Sequence, residues 1–298
     1  MNTRLLPIFI AATFLGSCKK DDKPAPPKEF IQVQQIDLGE GIVQMHYNDQ
    51  HLPSKMEILI PRPDQSAPVV ALYINWTYQD DFPTKAEIFN NTGSSFKQTG
   101  EYHYKADAQK RIGYIAMGRL SENGSMQWGD TTDYTFNANN QLIRTNVRND
   151  DYYNAFAYDS KGNFKMENEE TREDNNIYED RYEYQYDNNA NPLVVNNLGL
   201  FLYSVLGDDF LEASQLFSSN NPILSKHIYL RKTVDESEQP TYTYQITSTR
   251  EYTNTLDENG GLKQVNIKSS NESKENGTVT YSSSNNALFK FTCIKKQQ

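Results

Sequence analysis

One short pattern recurs along this chain: a pair of large side chains, usually aromatic, two positions apart, then a polar cluster, then an apolar restart. Copies run through Met45-His46-Tyr47-Asn48-Asp49, Trp76-Thr77-Tyr78-Gln79-Asp80 and Tyr102-His103-Tyr104-Lys105-Ala106-Asp107. Others are Tyr134-Thr135-Phe136-Asn137, Phe156-Ala157-Tyr158-Asp159-Ser160-Lys161-Gly162-Asn163 and Tyr184-Gln185-Tyr186-Asp187. Two later copies start at Tyr252, leading into Asp257-Glu258-Asn259-Gly260-Gly261, and at Tyr281, leading into Asn285-Asn286-Ala287-Leu288. Residues two apart share one face of a strand, and Asp, Asn and Gly supply the positive-φ positions of a tight reversal. The repeat therefore predicts antiparallel hairpins with one ring-lined dry face and one wet face. Most copies are spaced to leave room for two short strands and two turns.

The kind of ring supports this reading. The chain has 20 Tyr against 14 Phe and 2 Trp. Tyr favours strands and carries a polar tip that can stay hydrated. The expected fold is all-β: an antiparallel meander of Tyr-rich hairpins forming one large curved or barrel-like sheet.

The rhythm breaks between Tyr186 and Tyr252. That interval holds the longest apolar stretch of the chain past residue 17, from Leu193 to Phe217, interrupted by Asp208-Asp209. A short helical insertion near 198–218 is expected, with Asp208 as an N-cap and Asn221-Pro222 as a stop. It would plug or cap the sheet, an apolar binding loop being the alternative. Asp208, Asp209 and Glu212 argue against a transmembrane helix.

The first residues concern address rather than fold. Arg4 precedes an apolar run from Leu5 to Leu15, followed by Gly16, Ser17 and Cys18. A charged start, a short apolar segment and small residues before a cut describe a secretory signal. Leu15-Gly16-Ser17-Cys18 resembles the bacterial lipobox, in which the Cys is acylated and becomes the mature N-terminus. The expected organisation is a signal peptide at 1–17, a flexible Lys-, Asp- and Pro-rich tether at 18–29, and a single β-hairpin-repeat domain at 30–298. Cleavage removes one positive charge, Arg4, from a chain of formal charge −10, so the mature part is more acidic still. That excess disfavours nucleic acid and anionic membrane surfaces, which reward clustered Lys and Arg. With Cys18 committed to lipid, Cys293 has no disulfide partner. Its alternation with Phe289 and Phe291 makes it a small core residue rather than a reactive thiol.

The Tyr-x-Tyr-Asp-x-x-Gly-Asn pattern resembles the YD-type repeats of large bacterial shell proteins. More closely, the lipobox, the Lys19-Lys20-Asp21-Asp22 tether, the Tyr-rich hairpins and Leu198-Gly199-Leu200-Phe201-Leu202-Tyr203 resemble a Bacteroidota lipoprotein family, a domain of unknown function with a porin-like fold. The resemblance covers roughly residues 40–294 and implies a meander that curls toward a barrel, with no catalytic residues to carry over. It also implies attachment to the outer membrane through the lipid alone, facing the cell surface or the periplasm. Short alternating runs broken by charges argue against strands that themselves span the bilayer.

Candidate chemistry is sparse. Oxygen-rich turns at Asp159, Asp187 and Asp257 lack the twelve-residue calcium loop, and Asp and Asn suit such turns for backbone reasons. Acidic neighbours such as Asp80-Asp81, Asp150-Asp151 and Glu169-Glu170 are not placed as a glycosidase pair. His46, His51, His103 and His227 show no metal spacing, and no cofactor is implied. Trp76 and Trp128, with the tyrosines, are candidate ligand-binding residues that would stack on sugar rings, though rings on a sheet face also build cores. Trp128, between Gln127 and Gly129, is the one expected in the open. The sequence thus points to a non-catalytic binding or assembly module of the envelope, with a glycan or an envelope protein as partner. A carbohydrate-active or other hydrolytic enzyme and a structural subunit of an outer-membrane complex are the alternatives.

Overall fold

The computed structural model describes residues 29–62, 67–148, 153–166, 169–206, 211–235, 237 and 239–297. Cys18, the leader and the tether up to residue 28 lie outside them, as do Asp150-Asp151 and Asp208-Asp209.

The first nine strands are β1 (Glu29–Asp37), β2 (Ile42–Tyr47), β3 (Pro53–Ile60), β4 (Val69–Gln79), β5 (Phe82–Asn91), β6 (Phe96–Ala106), β7 (Ile112–Leu120), β8 (Met126–Phe136) and β9 (Leu142–Val147). Four short strands follow: β10 (Tyr153–Ala155), β11 (Ala157–Tyr158), β12 (Phe164–Lys165) and β13 (Glu169–Glu173). The long strands β14 (Asn176–Ala190), β15 (Asn220–Val234), β16 (Pro240–Leu256), β17 (Leu262–Glu275) and β18 (Thr278–Gln297) complete the set. Between β14 and β15 lie a 3₁₀ turn at Pro192–Asn197 and the helices α1 (Leu198–Leu206) and α2 (Ala213–Phe217).

Sixteen strands form one antiparallel sheet in which chain neighbours are sheet neighbours, and β1 pairs with β18. Its two edges are β10 and β13. The meander is as the hairpin repeat predicts.

The reversals explain why the repeat uses Asp and Asn. Asn48, Asp107, Asn137, Asp159 and Asp257 each accept, through one side-chain oxygen, the amides two and four residues on. The carbonyl of the same residue accepts the amide three residues on, from His51, Lys110, Asn140, Gly162 and Gly260. Those five residues all have positive φ, between 60° and 84°. Among the described residues the full set of bonds is found five times. In an up-and-down meander the β2–β3, β6–β7, β8–β9 and β16–β17 copies fall at one end of the sheet, with the β11–β12 copy beside them, while Asp235 accepts the Ser237 and Gln239 amides at the other end. Glu29 and Gln297 pair at the end of the five copies.

The dry face carries Val33, Ile36, Met45, Ile74, Trp76, Ile88, Tyr104, Ile115, Tyr252, Phe289 and Phe291, all buried. It closes around the helical segment. Phe201 of α1 sits 5.4 Å from Trp76 and 6.2 Å from Tyr104, ring centre to ring centre. On the other side Glu212, beside α2, accepts the Tyr252 hydroxyl at 2.5 Å and pairs with Arg250 at 2.5 Å. Strands far apart in sheet order therefore grip the same short insertion, so the sheet is strongly curved. The edges are joined by the β11–β12 hairpin rather than by a ladder. Tyr158 donates to the Leu142 carbonyl of β9 at 2.8 Å, and Tyr186 of β14 donates to the Phe164 carbonyl at 2.5 Å.

Several expectations need correction. Many strands outrun the short alternating runs, from 9 residues in β7 to 20 residues in β18. The far ends of β17 and β18 are largely polar on both faces and show no apolar alternation. Asn285-Asn286 is no reversal: both residues lie inside β18, paired with Ser269 and Lys268 of β17. The reversal there is Asn276-Gly277, both with positive φ, and Tyr281 is 57% exposed. Helix α2 begins at Ala213 with Glu212 as its N-cap, in a capping box with Gln215.

Strand length alone would allow a membrane barrel, but the outward face does not match one. Opposite the core, β2, β3, β5 and β6 carry the paired charges His46, Lys55, Glu57, Lys85, Glu87, Glu101 and His103, where a lipid-facing barrel needs an apolar band, while Tyr73 of β4 packs there with Phe89 and Phe96. No helix among the described residues is long and apolar enough to cross a membrane.

Candidate functional site: a ring-lined chamber beside helix α1

The curved sheet does not fill its interior. Two larger cavities among the described residues reach α1, one at Tyr203 and the other at Ser204.

The first lies at the seam between the sheet edges and measures about 630 Å³. Tyr153, Asn154, Phe156, Phe164, Met166, Glu169 and Tyr203 line it. The gap exists because β10 and β13 do not pair. Asn154 reaches across to the Tyr203 hydroxyl at 3.3 Å, and Phe156 meets both Phe164 and Tyr203 edge to face or tilted.

The second lies between α1 and β6–β9 and measures about 570 Å³. Tyr102, Ile115, Met117, Arg119, Gln127, Trp128, Thr132, Tyr134, Val147 and Ser204 are among its walls. Pairing explains who faces inward. Tyr102 is opposite Met117 and Arg119 is opposite Gln127, so all four share the inner face with Ile115. The register shift between Ala116 and Gly118, against Thr131 and Trp128, turns the Trp128 indole to the other side. There it lies edge-on to His103, ring centres 4.4 Å apart, and packs over Gly118.

Most buried Tyr hydroxyls in this fold have a fixed partner. Tyr47, Tyr78, Tyr158 and Tyr186 donate to main-chain carbonyls, Tyr252 donates to Glu212, and Tyr104 accepts the Trp76 indole. Tyr102 and Tyr134 differ. They are only 7% and 8% exposed, line the second cavity, and make no hydrogen bond within the described chain. Burial raises the pKa of both, so both remain proton donors at neutral pH. Arg119 is the one charged side chain among the described lining residues, and it meets no carboxylate there.

The two tryptophans separate by environment. Trp76 is 6% exposed, bonded to Tyr104 and covered by Phe201, so it is a core residue and offers no stacking face. Trp128 is 49% exposed at the rim of the second cavity. Sequence reasoning passed over Tyr102, Arg119 and Tyr134. Their signal lies in the alternation: Ile115-x-Met117-x-Arg119 puts a charge on an apolar face, and Tyr stands at two first-ring positions.

Other candidates are absorbed by structure. One carboxylate oxygen of each of Asp159, Asp187 and Asp257 accepts main-chain amides, as expected of a turn residue. His46, His103 and His227 pair with Glu57, Glu101 and Asp180 respectively. Carboxyl groups whose ionisation the fold shifts, such as Glu57, Glu101 and Glu179, are all held below their ordinary values. That is the direction of a paired structural carboxylate, whereas a general acid is raised. Cys293 sits inside, its thiol donating to the Leu262 carbonyl at 3.2 Å, and burial pushes its pKa up to about 12.

No protein-family model matches this chain, and no curated protein does. Among solved structures it is similar to a porin-like protein from Bacteroides uniformis ATCC 8492, with 14% identity and a TM-score of 0.49 over 90% of this chain and 96% of that one. A porin-like protein from Bacteroides vulgatus ATCC 8482 is similar at 11% identity and a TM-score of 0.29, over 88% of this chain and 98% of that one.

Proposed function

We propose that this protein is an outer-membrane lipoprotein, anchored through Cys18, that binds a small ligand in the chamber beside α1 without turning it over. The observation that carries the reading is the pair of ligand-sized, ring-lined spaces that the sheet leaves beside an inserted helix. Pockets of this size with a few converging polar groups are the usual form of small-molecule sites. The placement of the chain ends fits an anchor. Glu29 and Gln297 leave at the end of the five Asx turns, whereas Arg119 and Gln127 lie beside the opposite reversal, Ser121 to Ser125. A body tethered at its first strand would turn the second cavity away from the lipid. The charged outer face supports attachment by lipid rather than by embedded strands.

Two experiments test the two halves. Metabolic labelling with a clickable fatty acid should mark the wild-type protein and not Cys18→Ala; labelling that survives in the variant would remove the anchor. A glycan, peptide and metabolite array on the processed protein should show saturable binding without products. Products released in proportion to protein would favour a hydrolase, and co-purification of an envelope protein without any small ligand would favour a structural subunit.

A further inference from the structure

We propose that the cavity between α1 and strands β6–β9 recognises an organic oxyanion with an apolar body, through Arg119 at the mouth and the Tyr102 and Tyr134 hydroxyls in the wall. The inference rests on the chamber reading above and gives it a ligand class.

Three observations converge. First, Arg119 is the one charged side chain among the described residues that line the cavity. It is exposed at the mouth, on an inward-facing strand position, and makes no ion pair with a carboxylate among the described residues. Arg is suited to carboxylate and phosphate because its planar fork offers two parallel donors. Second, the Tyr102 and Tyr134 side chains line the cavity and make no hydrogen bond within the described chain, unlike Tyr78, Tyr158, Tyr186 and Tyr252, so both hydroxyls are open to a ligand. A bound acceptor would take the place of water on both hydroxyls. Both hydroxyls open onto the same space as Arg119. Third, the remaining walls are Ile115, Met117 and Val147 with the ring bodies, which suit an apolar ligand body. A volume of about 570 Å³ fits one small amphiphile. A carboxylate metabolite and a phosphate-headed lipid fragment share this chemistry, and the two must be told apart by experiment.

The test uses the processed wild-type protein and three probes of equal chain length: decanoate, decyl phosphate and decanol, titrated by calorimetry. The anions should bind at one site, about tenfold or more tighter than decanol. Arg119→Gln should weaken the anions by about tenfold and leave decanol unchanged. Tyr102→Phe and Tyr134→Phe, which keep ring volume, should each weaken binding by a few-fold. A preference for decanoate over decyl phosphate, or the reverse, assigns the carboxylate or the phosphate source. If all three probes bind equally, or Arg119→Gln changes nothing, the anion assignment is overturned while the chamber stands. If none binds to protein whose circular dichroism shows intact sheet, the chamber reading falls as well.

Discussion

The Trp76 indole donates its Nε1 proton to the Tyr104 hydroxyl at 2.9 Å, across the intervening strand β5, and the Phe201 ring rests against both. This contact joins the sheet to the inserted helix and marks the centre of the core.

Removing one partner should therefore be costly. Tyr104→Phe leaves a buried N–H without an acceptor and should destabilise by about 1–3 kcal/mol in urea unfolding. Phe201→Ala should cost more, about 3–5 kcal/mol, by opening a cavity between sheet and helix. Trp128→Ala, at an exposed rim, should stay within about 0.5 kcal/mol. Equal losses at Trp128 and Phe201 would show that the two rings have been assigned to the wrong environments.

The five matched turns make a second prediction. Gly162 has φ +84°, and a Cβ there would sit 2.6 Å from Ser219 Oγ and 3.1 Å from Gln141 Nε2. Gly260 has φ +80° with nothing within 4 Å. Gly260→Ala should cost about 1 kcal/mol through backbone strain alone, and Gly162→Ala more, because steric contact is added. Gly162→Val should be worse still. If the alanine variants lose equal stability, Ser219 moves freely and the packing of the β11–β12 hairpin on β15 is looser than described.

Acid should unfold the protein through a small set of carboxylates. A hydrogen bond from Lys232 lowers the Glu179 pKa, burial opposes it, and Arg181 adds to the lowering. At Glu57 and Glu101 burial raises the pKa, but pairing with Lys55 and His46, or with Lys85 and His103, outweighs it. Folded values below the ordinary 4.5 mean that this stability is complete above that value and drains as pH falls through the lowered ones. Urea midpoints should be level from about pH 7 to about pH 5 and fall steeply toward about pH 3. Glu179→Gln should flatten part of that fall while lowering stability at neutral pH. An unchanged acid limb in the variant would assign the transition elsewhere.

Cys293 offers a probe of the closed fold. With its pKa pushed up to about 12 by burial, chiefly, and by the nearby Asp257 charge, the thiol stays protonated near neutral pH. A disulfide reagent at about pH 8 should react with native protein far more slowly than with protein in denaturant. Rapid native labelling would place the thiol outside the core.

How much of this was legible beforehand varies by element. Ring alternation and Asx turns carried the meander, because at Tyr104, Tyr158 and Tyr186 the pattern of side chains and the pattern of burial coincide. The long ends of β17 and β18 were not legible. Ser282-Ser283-Ser284-Asn285-Asn286 has no apolar period because neither of its faces meets a core, so it reads as a turn although it pairs throughout with β17. Asn276-Gly277 was in plain view as a two-residue reversal and was passed over for the richer Asn285-Asn286. The chamber was hidden for another reason. Tyr102 and Tyr134 occupy ring positions that elsewhere pack as core, and only the partners of their hydroxyls distinguish them.

The pairing of β1 with β18 has a temporal consequence. Val33 lies opposite Cys293, almost the whole length of the domain away along the chain, so the two halves of the meander cannot be sewn together until the last strand exists. Contacts of such long range make closure slow. A chain exported from the inside of a cell would thus cross before its interior has sealed. The sheet is complete only when the final residues come to lie beside the first.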